Sequence, residues 1–226
     1  MTPHRLHRLA FSPRASRSLF AASILGASLA LLASASGCKL MAAGAVLFGN
    51  EPTRDVPAEW PHLNDKKIAV AVWAEMDTLF EYPYVQLEIG RHIEDALGPQ
   101  VKGVTFVPSQ QVVQYQQREP NWDRRSPCEL GEKLGADRVL FIELTQYTTR
   151  EPDSPHLFRG RISANVKIFD STAADTAPPY RTVVETTYPA DSTGEYGTDD
   201  VSIRKLTMET FAREVAQKFY DRKEKL

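Results

Sequence analysis

Hydrophobic and polar positions divide the chain into an apolar leader, a proline-rich connector and a patterned body. In the body, Lys67-Ile-Ala-Val-Ala-Val-Trp73 is a β-branched and alanine-rich run behind a charged Asn-Asp-Lys-Lys, which predicts a strand buried on both faces of a partly parallel sheet. From Tyr84 to Leu97, the residues Val85, Ile89, Ile93, Ala96 and Leu97 fall at helical spacing, and Gly98-Pro99 stops the helix. Val104-Thr-Phe-Val107 predicts a second strand. Pro108-Ser109 opens a short helix to about Gln117, with Ser109 placed to accept a bond from a free amide. Ser126-Pro127 opens another, with proline at its first position, and Gly135 closes it.

Asp137-Arg138 then feeds a strand over Val139 to Leu144. Phe158, Gly160, Ile162, Ala164, Val166 and Ile168 alternate with polar residues, so the next strand has one wet face. Tyr180 to Tyr188 is β-rich and follows a long loop from Asp170 to Pro179, which predicts an antiparallel pair. Ile203, Leu206, Phe211, Val215 and Phe219 mark a last helix within Val201 to Tyr220. The expected fold is α/β, a mixed sheet in two or three layers with element order β-α-β-α-α-β-β-β-α. It occupies residues 66–221 and ends in a charged tail, 222–226.

The leader changes the picture. Arg5, Arg8, Arg14 and Arg17 stand in a segment without acids, followed by a 14-residue apolar stretch from Leu19 to Leu32. As a helix this stretch covers roughly 21 Å, short of the roughly 30 Å of a membrane's hydrocarbon core. Ala35-Ser36-Gly37-Cys38 follows and resembles the lipobox of bacterial lipoproteins. Residues 1–37 are therefore expected to be a signal peptide cleaved between Gly37 and Cys38, with Cys38 lipidated. The rival is an ordinary secretory signal ending near Ala33-Ser34-Ala35. Two or three acyl chains, at roughly 0.8 kcal/mol per buried methylene, hold a protein on a bilayer where one chain is marginal. Lys39 in place of Asp, by likeness to Gram-negative lipoproteins, implies the periplasmic face of the outer membrane. Residues 38–65, with three prolines between Pro52 and Pro61, are expected to be a tether.

Charge and cysteine count narrow the partners. Four of the 27 basic residues and none of the 29 acids precede Cys38, so the mature chain carries a net charge of about −6. That argues against nucleic acid. With Cys38 acylated, Cys128 is left alone and no internal disulfide is expected.

The element order behind a lipobox resembles the superfamily of the curli-secretion lipoprotein, the penicillin-binding-protein activator lipoprotein and the amino-terminal domain of TolB. The resemblance rests on Lys67-Ile-Ala-Val-Ala-Val, Val104-Thr-Phe-Val-Pro-Ser, Glu129-Leu-Gly-Glu-Lys-Leu-Gly-Ala-Asp-Arg-Val-Leu and the strand Ile162 to Asp170. It implies no catalytic motif. The Leu-Gly-Ala-Asp joint also suits the auxiliary lipoproteins of lipid ABC transporters. No pair of long amphipathic strands is apparent, so a membrane barrel of the curli-secretion type is not expected.

Candidate chemistry is sparse. His62, His92 and His156 lie apart, no Gly-x-Ser-x-Gly turn occurs, and no zinc, calcium, dinucleotide or nucleotide spacing is found; no metal and no cofactor is expected. His92, near a buried helical stripe, suits packing better than ligation. Cys128, in a helix's first turn, is read as packed rather than reactive. Glu75, Asp77 and Glu81 surround Phe80, Tyr82 and Tyr84 in the loop after the first strand, the edge where α/β folds place ligands. Phe80, Tyr82, Tyr84 and Trp122 are the candidate partner-binding residues, in loops 74–84 and 117–126, the alternative for the aromatics of the first loop being that they fold back over the core. The expected function is a non-enzymatic accessory lipoprotein binding another envelope protein, with self-association also allowed. The alternatives are a lipid-anchored hydrolase using Glu75 to Glu81 and a small-ligand-binding lipoprotein.

Overall fold

A computed structural model describes residues 52–151, 154–173, 177–191 and 199–225. The expected signal peptide, the expected cleavage site at Gly37 and Cys38, and the expected tether up to residue 51 lie outside the described residues.

Residues 55–224 form one compact unit. Its elements are β2 (Lys67–Trp73), α1 (Met76–Glu81), α2 (Val85–Leu97), β3 (Thr105–Val107), α3 (Ser109–Arg118), a 3-10 turn (Trp122–Arg124), α4 (Pro127–Leu134), β4 (Arg138–Glu151), β5 (Ser154–Asp170), β6 (Tyr180–Tyr188) and α5 (Asp200–Ala216). Two short strands, β1 (Thr53–Val56) and β7 (Arg222–Lys225), make a separate two-stranded sheet.

The main sheet has the order β3-β2-β4-β5-β6. β2 runs parallel to β3 and β4, while β5 and β6 are antiparallel additions. Because side chains alternate across a strand, Ile68, Val70 and Val72 share a face with Leu140, Ile142, Val166, Ile168 and Val184, and α2 and α5 cover it. On the opposite face α3 and α4 cover Ala69, Ala71, Val139 and Phe169 through Val112, Cys128, Leu130 and Leu134. That second helical layer sits over the parallel half. The sheet is thus three layers deep there, and two over the antiparallel strands.

Helix ends follow their sequence signals in part. The Ser126 hydroxyl accepts from the Cys128 amide at 3.2 Å, and Gly135 takes the left-handed conformation that ends α4. At α3 the capping position is Pro108, which offers no side-chain bond. Ser109, expected as the cap, instead donates to Glu94 on α2 at 2.5 Å, because burial aims its hydroxyl between the helices.

Several boundaries differ from expectation for identifiable reasons. The strand after Asp137 continues past Leu144 to Glu151, because a bulge between Leu144 and Gln146 resets the alternation and returns Tyr147 to the buried face. The next strand begins at Ser154, so the chain does contain a pair of long antiparallel strands that the sequence pattern concealed. Within loop 74–84, residues 76–81 form a short helix. The last helix stops at Ala216, although Phe219 beyond it remains in the core.

Residues 57–65 do not behave as a tether. Leu63 is fully buried, and Trp60 packs against Tyr180 and Phe219 at 6.1 and 6.4 Å. Glu59 accepts from Lys218 and from the Tyr180 hydroxyl, both at 2.7 Å. Apolar groups this large gain more from burial than a solvated connector offers. Residues 222–225, expected as a charged tail, form β7.

Candidate binding cleft

β3 pairs with β2 only from Lys67 to Ala69, so the last residues of β2 have no described strand beside them on that side. Buried backbone groups need partners, and glutamines supply one. The Val72 carbonyl accepts from Gln86 Nε2 on α2 at 2.8 Å and from Gln116 Nε2 on α3 at 3.0 Å. A carbonyl can only accept, which fixes the Gln116 amide with nitrogen toward Val72. Its Oε1 is then a buried acceptor without a partner among the described residues, on a side chain only 6% exposed.

That amide lies in the wall of an open cleft of about 370 Å³ at the carboxyl end of β2. Trp73, Glu75, Met76 and Leu79 come from one side, and Glu119, Asn121, Trp122 and Asp123 from the other. The two loops singled out in the sequence therefore meet here. Asn121 turns the chain at a φ of 64°, a conformation asparagine tolerates better than most residues. The Trp73 indole N–H reaches Asp123 at 3.4 Å, Trp122 leans on Phe141 at 6.1 Å, and Glu119 pairs with Arg125 at 3.5 Å. Two indoles, three carboxylates and a free amide oxygen suit a cationic, N–H-rich group.

The other sequence candidates are scattered. Phe80 and Tyr84 are 88% and 68% exposed, and Tyr84 borders a different groove between α2 and α3. Tyr82 is 7% exposed and belongs to the core: its ring meets Tyr147 edge-on at 4.7 Å, and its hydroxyl shares a hydrogen bond with Thr149 at 3.1 Å. Burial raises its pKa first, with Thr149 acting in opposition. Glu75 lines the cleft, Glu81 borders a separate hollow beside Tyr147 to Glu151, and Asp77 lines neither. All three carboxylates are exposed. His92 is half-buried on α2, and Cys128 is buried in the first turn of α4. Among the described residues no group of three or more His, Cys, Asp or Glu side chains could hold a metal. No described helix is long and apolar enough to cross a membrane.

Sequence reasoning missed Trp73, Gln86, Gln116 and Asp123. One signal was available: Gln116 stands four residues after Val112, on the buried side of α3 where an apolar residue is expected.

No family model matches the chain, and no curated protein matches it. Among solved structures it is similar to a dodecameric PelC variant from Paraburkholderia phytofirmans, with 12% identity, a TM-score of 0.45, and coverage of 76% of this chain and 99% of that one. It is also similar to lipoprotein GNA1162 from Neisseria meningitidis, with 17% identity, a TM-score of 0.41, and coverage of 66% and 97%. A third similarity is to the hypothetical protein CT253 from Chlamydia trachomatis, with 20% identity, a TM-score of 0.38, and coverage of 66% and 92%. These are loose similarities of chain course, and they assign neither family nor activity.

Proposed function

We propose that this chain is a non-enzymatic lipoprotein, tied through Cys38 to the periplasmic face of the outer membrane, that binds a cationic segment of another envelope protein in the cleft at the end of β2. The sequence Ala35-Ser36-Gly37-Cys38 supports the anchoring. The observation that carries the binding role is the Gln116 Oε1 atom, an acceptor kept free and buried beside Trp73 and Trp122. Leaving such an atom unpaired costs about 1–3 kcal/mol, which an arriving N–H donor recovers. The alternative of a hydrolase using Glu75 to Glu81 needs those carboxylates to converge, whereas Glu75 and Glu81 border different hollows.

The test is photo-crosslinking in whole cells from a probe at Asn121 on the cleft rim. A discrete protein adduct is expected, weakened about 10-fold or more by Gln116→Met, since a hydrogen bond to a charged group contributes about 1.5–3 kcal/mol. Asp77→Ala with Glu81→Ala, both outside the cleft, should leave capture unchanged. Adducts with lipid alone, or capture indifferent to Gln116, would overturn the proposal. Gln116→Met should also change folding stability by no more than about 1 kcal/mol, because it removes an unpaired acceptor while Gln86 still serves Val72.

A further inference from the structure

β6 is an outer strand of the main sheet: β5 lies on one side, and no described strand lies on the other. It is nine residues long, and its register with β5 runs without a break from Tyr180 to Tyr188. Edges of this length are commonly blunted by bulges or inward charges, because free N–H and C=O groups template pairing with another strand. β6 has no bulge against β5, and along the face away from α5 it carries charges of opposite sign, Arg181 and Glu185, on either side of Val183, which is 57% exposed.

The charges on this strand are incomplete. Arg181 stands directly opposite Lys167 of β5, a like-charge pair that is unfavourable across strands. The nearby anion, Glu143, is taken by Lys167 at 2.7 Å and by Asn165 at 3.3 Å. Among the described residues neither Arg181 nor Glu185 has an ion pair.

We propose that β6 pairs antiparallel with β6 of a second copy of this chain, about a two-fold axis at Val183. In that register each Arg181 faces Glu185 of the other copy, and the exposed Val183 faces its own counterpart. Moving the axis by one residue sets Val183 against a charge and breaks both ion pairs. Half that step sets opposite faces of the two sheets side by side, which the pleat forbids. The axis stands perpendicular to the sheet, so the interface is isologous and both α5 helices lie on one side. Leu206, Thr210 and Glu214 are spaced four residues apart along α5. Glu214 bonds to Thr186 of β6, which marks that side as the one facing the edge. Leu206, exposed in the single chain, is then covered by the second copy. The two five-stranded sheets become one of ten strands.

The full chain, purified from membranes in detergent, is examined by sedimentation velocity and native mass spectrometry. A dimer is expected. Arg181→Glu and Glu185→Arg each set two like-charge pairs against the seam and should raise the dissociation constant about tenfold. The double variant Arg181→Glu with Glu185→Arg exchanges the charges and should restore the dimer, which also shows that neither change prevents folding. Val183→Cys should give a dimer linked by a short bis-maleimide. A monomer at tens of micromolar would overturn the proposal, as would an oligomer indifferent to both reversals or a double variant no better than the singles. None of these residues lines the cleft, so the outcome is separate from that of the capture experiment.

Discussion

At the scale of single residues, small side chains and polar atoms set limits that hydrophobic patterning does not express. Gly160 lies within β5 facing Thr207 of α5, and a β-carbon there would stand 2.7 Å from Thr207 Cβ and 2.8 Å from its Cγ2. Thr207 is itself fixed, donating to the Ile203 carbonyl at 2.6 Å. Neither partner yields without shifting helix against sheet. Gly160→Ala should therefore destabilise the fold by about 1–3 kcal/mol, the usual range for overpacking. Urea unfolding checks this as a lower midpoint at unchanged slope. Gln116 obeys a related logic from the opposite direction. Its position asks for an apolar residue, and the amide is there because β3 is too short to cover Val72. The helical period of α3 is legible in the sequence, but the shortness of β3 is a tertiary fact, and without it the glutamine has no evident reason to be buried.

At the scale of elements, ends and interruptions decide more than interiors. The Ser126 bond to the Cys128 amide, proline at the first position of α4 and left-handed Gly135 give α4 agreeing signals at both ends. Ser126→Ala should cost about 1 kcal/mol, seen as a fall in Tm of about 2–4 °C for a domain of this size. The far ends of β4 and β5 depend instead on charge. Glu151 accepts from Arg161 at 2.5 Å and from Arg159 at 3.4 Å, and these bonds hold its carboxyl below the usual carboxylate range. A depressed acid pKa means that the folded state releases the proton more readily than the unfolded chain. The stabilisation is therefore complete above the unfolded value and fades as pH falls through the lower folded one. Glu151→Gln should flatten that acid-side loss, measured as amide exchange in residues 147–151 between pH 5 and pH 3. Of the elements, α2 and the alternating part of β5 are legible from an unbroken period, β2 and β6 from unbroken β-rich runs, and α4 from the signals at its ends. β4 is legible only over Val139 to Leu144, since its bulge breaks the alternation after Leu144 and the remainder no longer reads as strand. Of the two loops around the cleft, 74–84 is legible as an aromatic and acidic segment and 117–126 as a polar loop carrying Trp122. Tyr82 illustrates the limit, because nothing in the sequence separates it from Phe80 and Tyr84 as the aromatic of this loop that turns inward to Tyr147.

At the scale of the whole molecule, one structural asymmetry separates two surfaces. Among the described residues, the parallel half of the sheet is covered on both faces and carries the cleft at the carboxyl end of β2, while the antiparallel half is covered on one face and carries the unpaired β6 edge. A lipid anchor would confine both to the neighbourhood of a bilayer without asking the folded body to enter it, and no described helix is suited to crossing one. Trp60 and Leu63 pack on the domain, so the folded body begins before Lys67, where the sequence pattern alone would start it. Cys38→Ser removes the thiol that would take the lipid. Two acyl chains of about fourteen methylenes at roughly 0.8 kcal/mol each far exceed what any exposed aromatic on this surface could supply. The variant should therefore leave the membrane fraction almost completely, keep the native circular dichroism of an α/β domain, and lose in-cell capture from Asn121 through dilution rather than misfolding. Intact mass spectrometry of the wild-type chain should show a diacylated or triacylated amino terminus at residue 38. A Cys38→Ser protein that stays membrane-bound would move the anchor to the folded body itself.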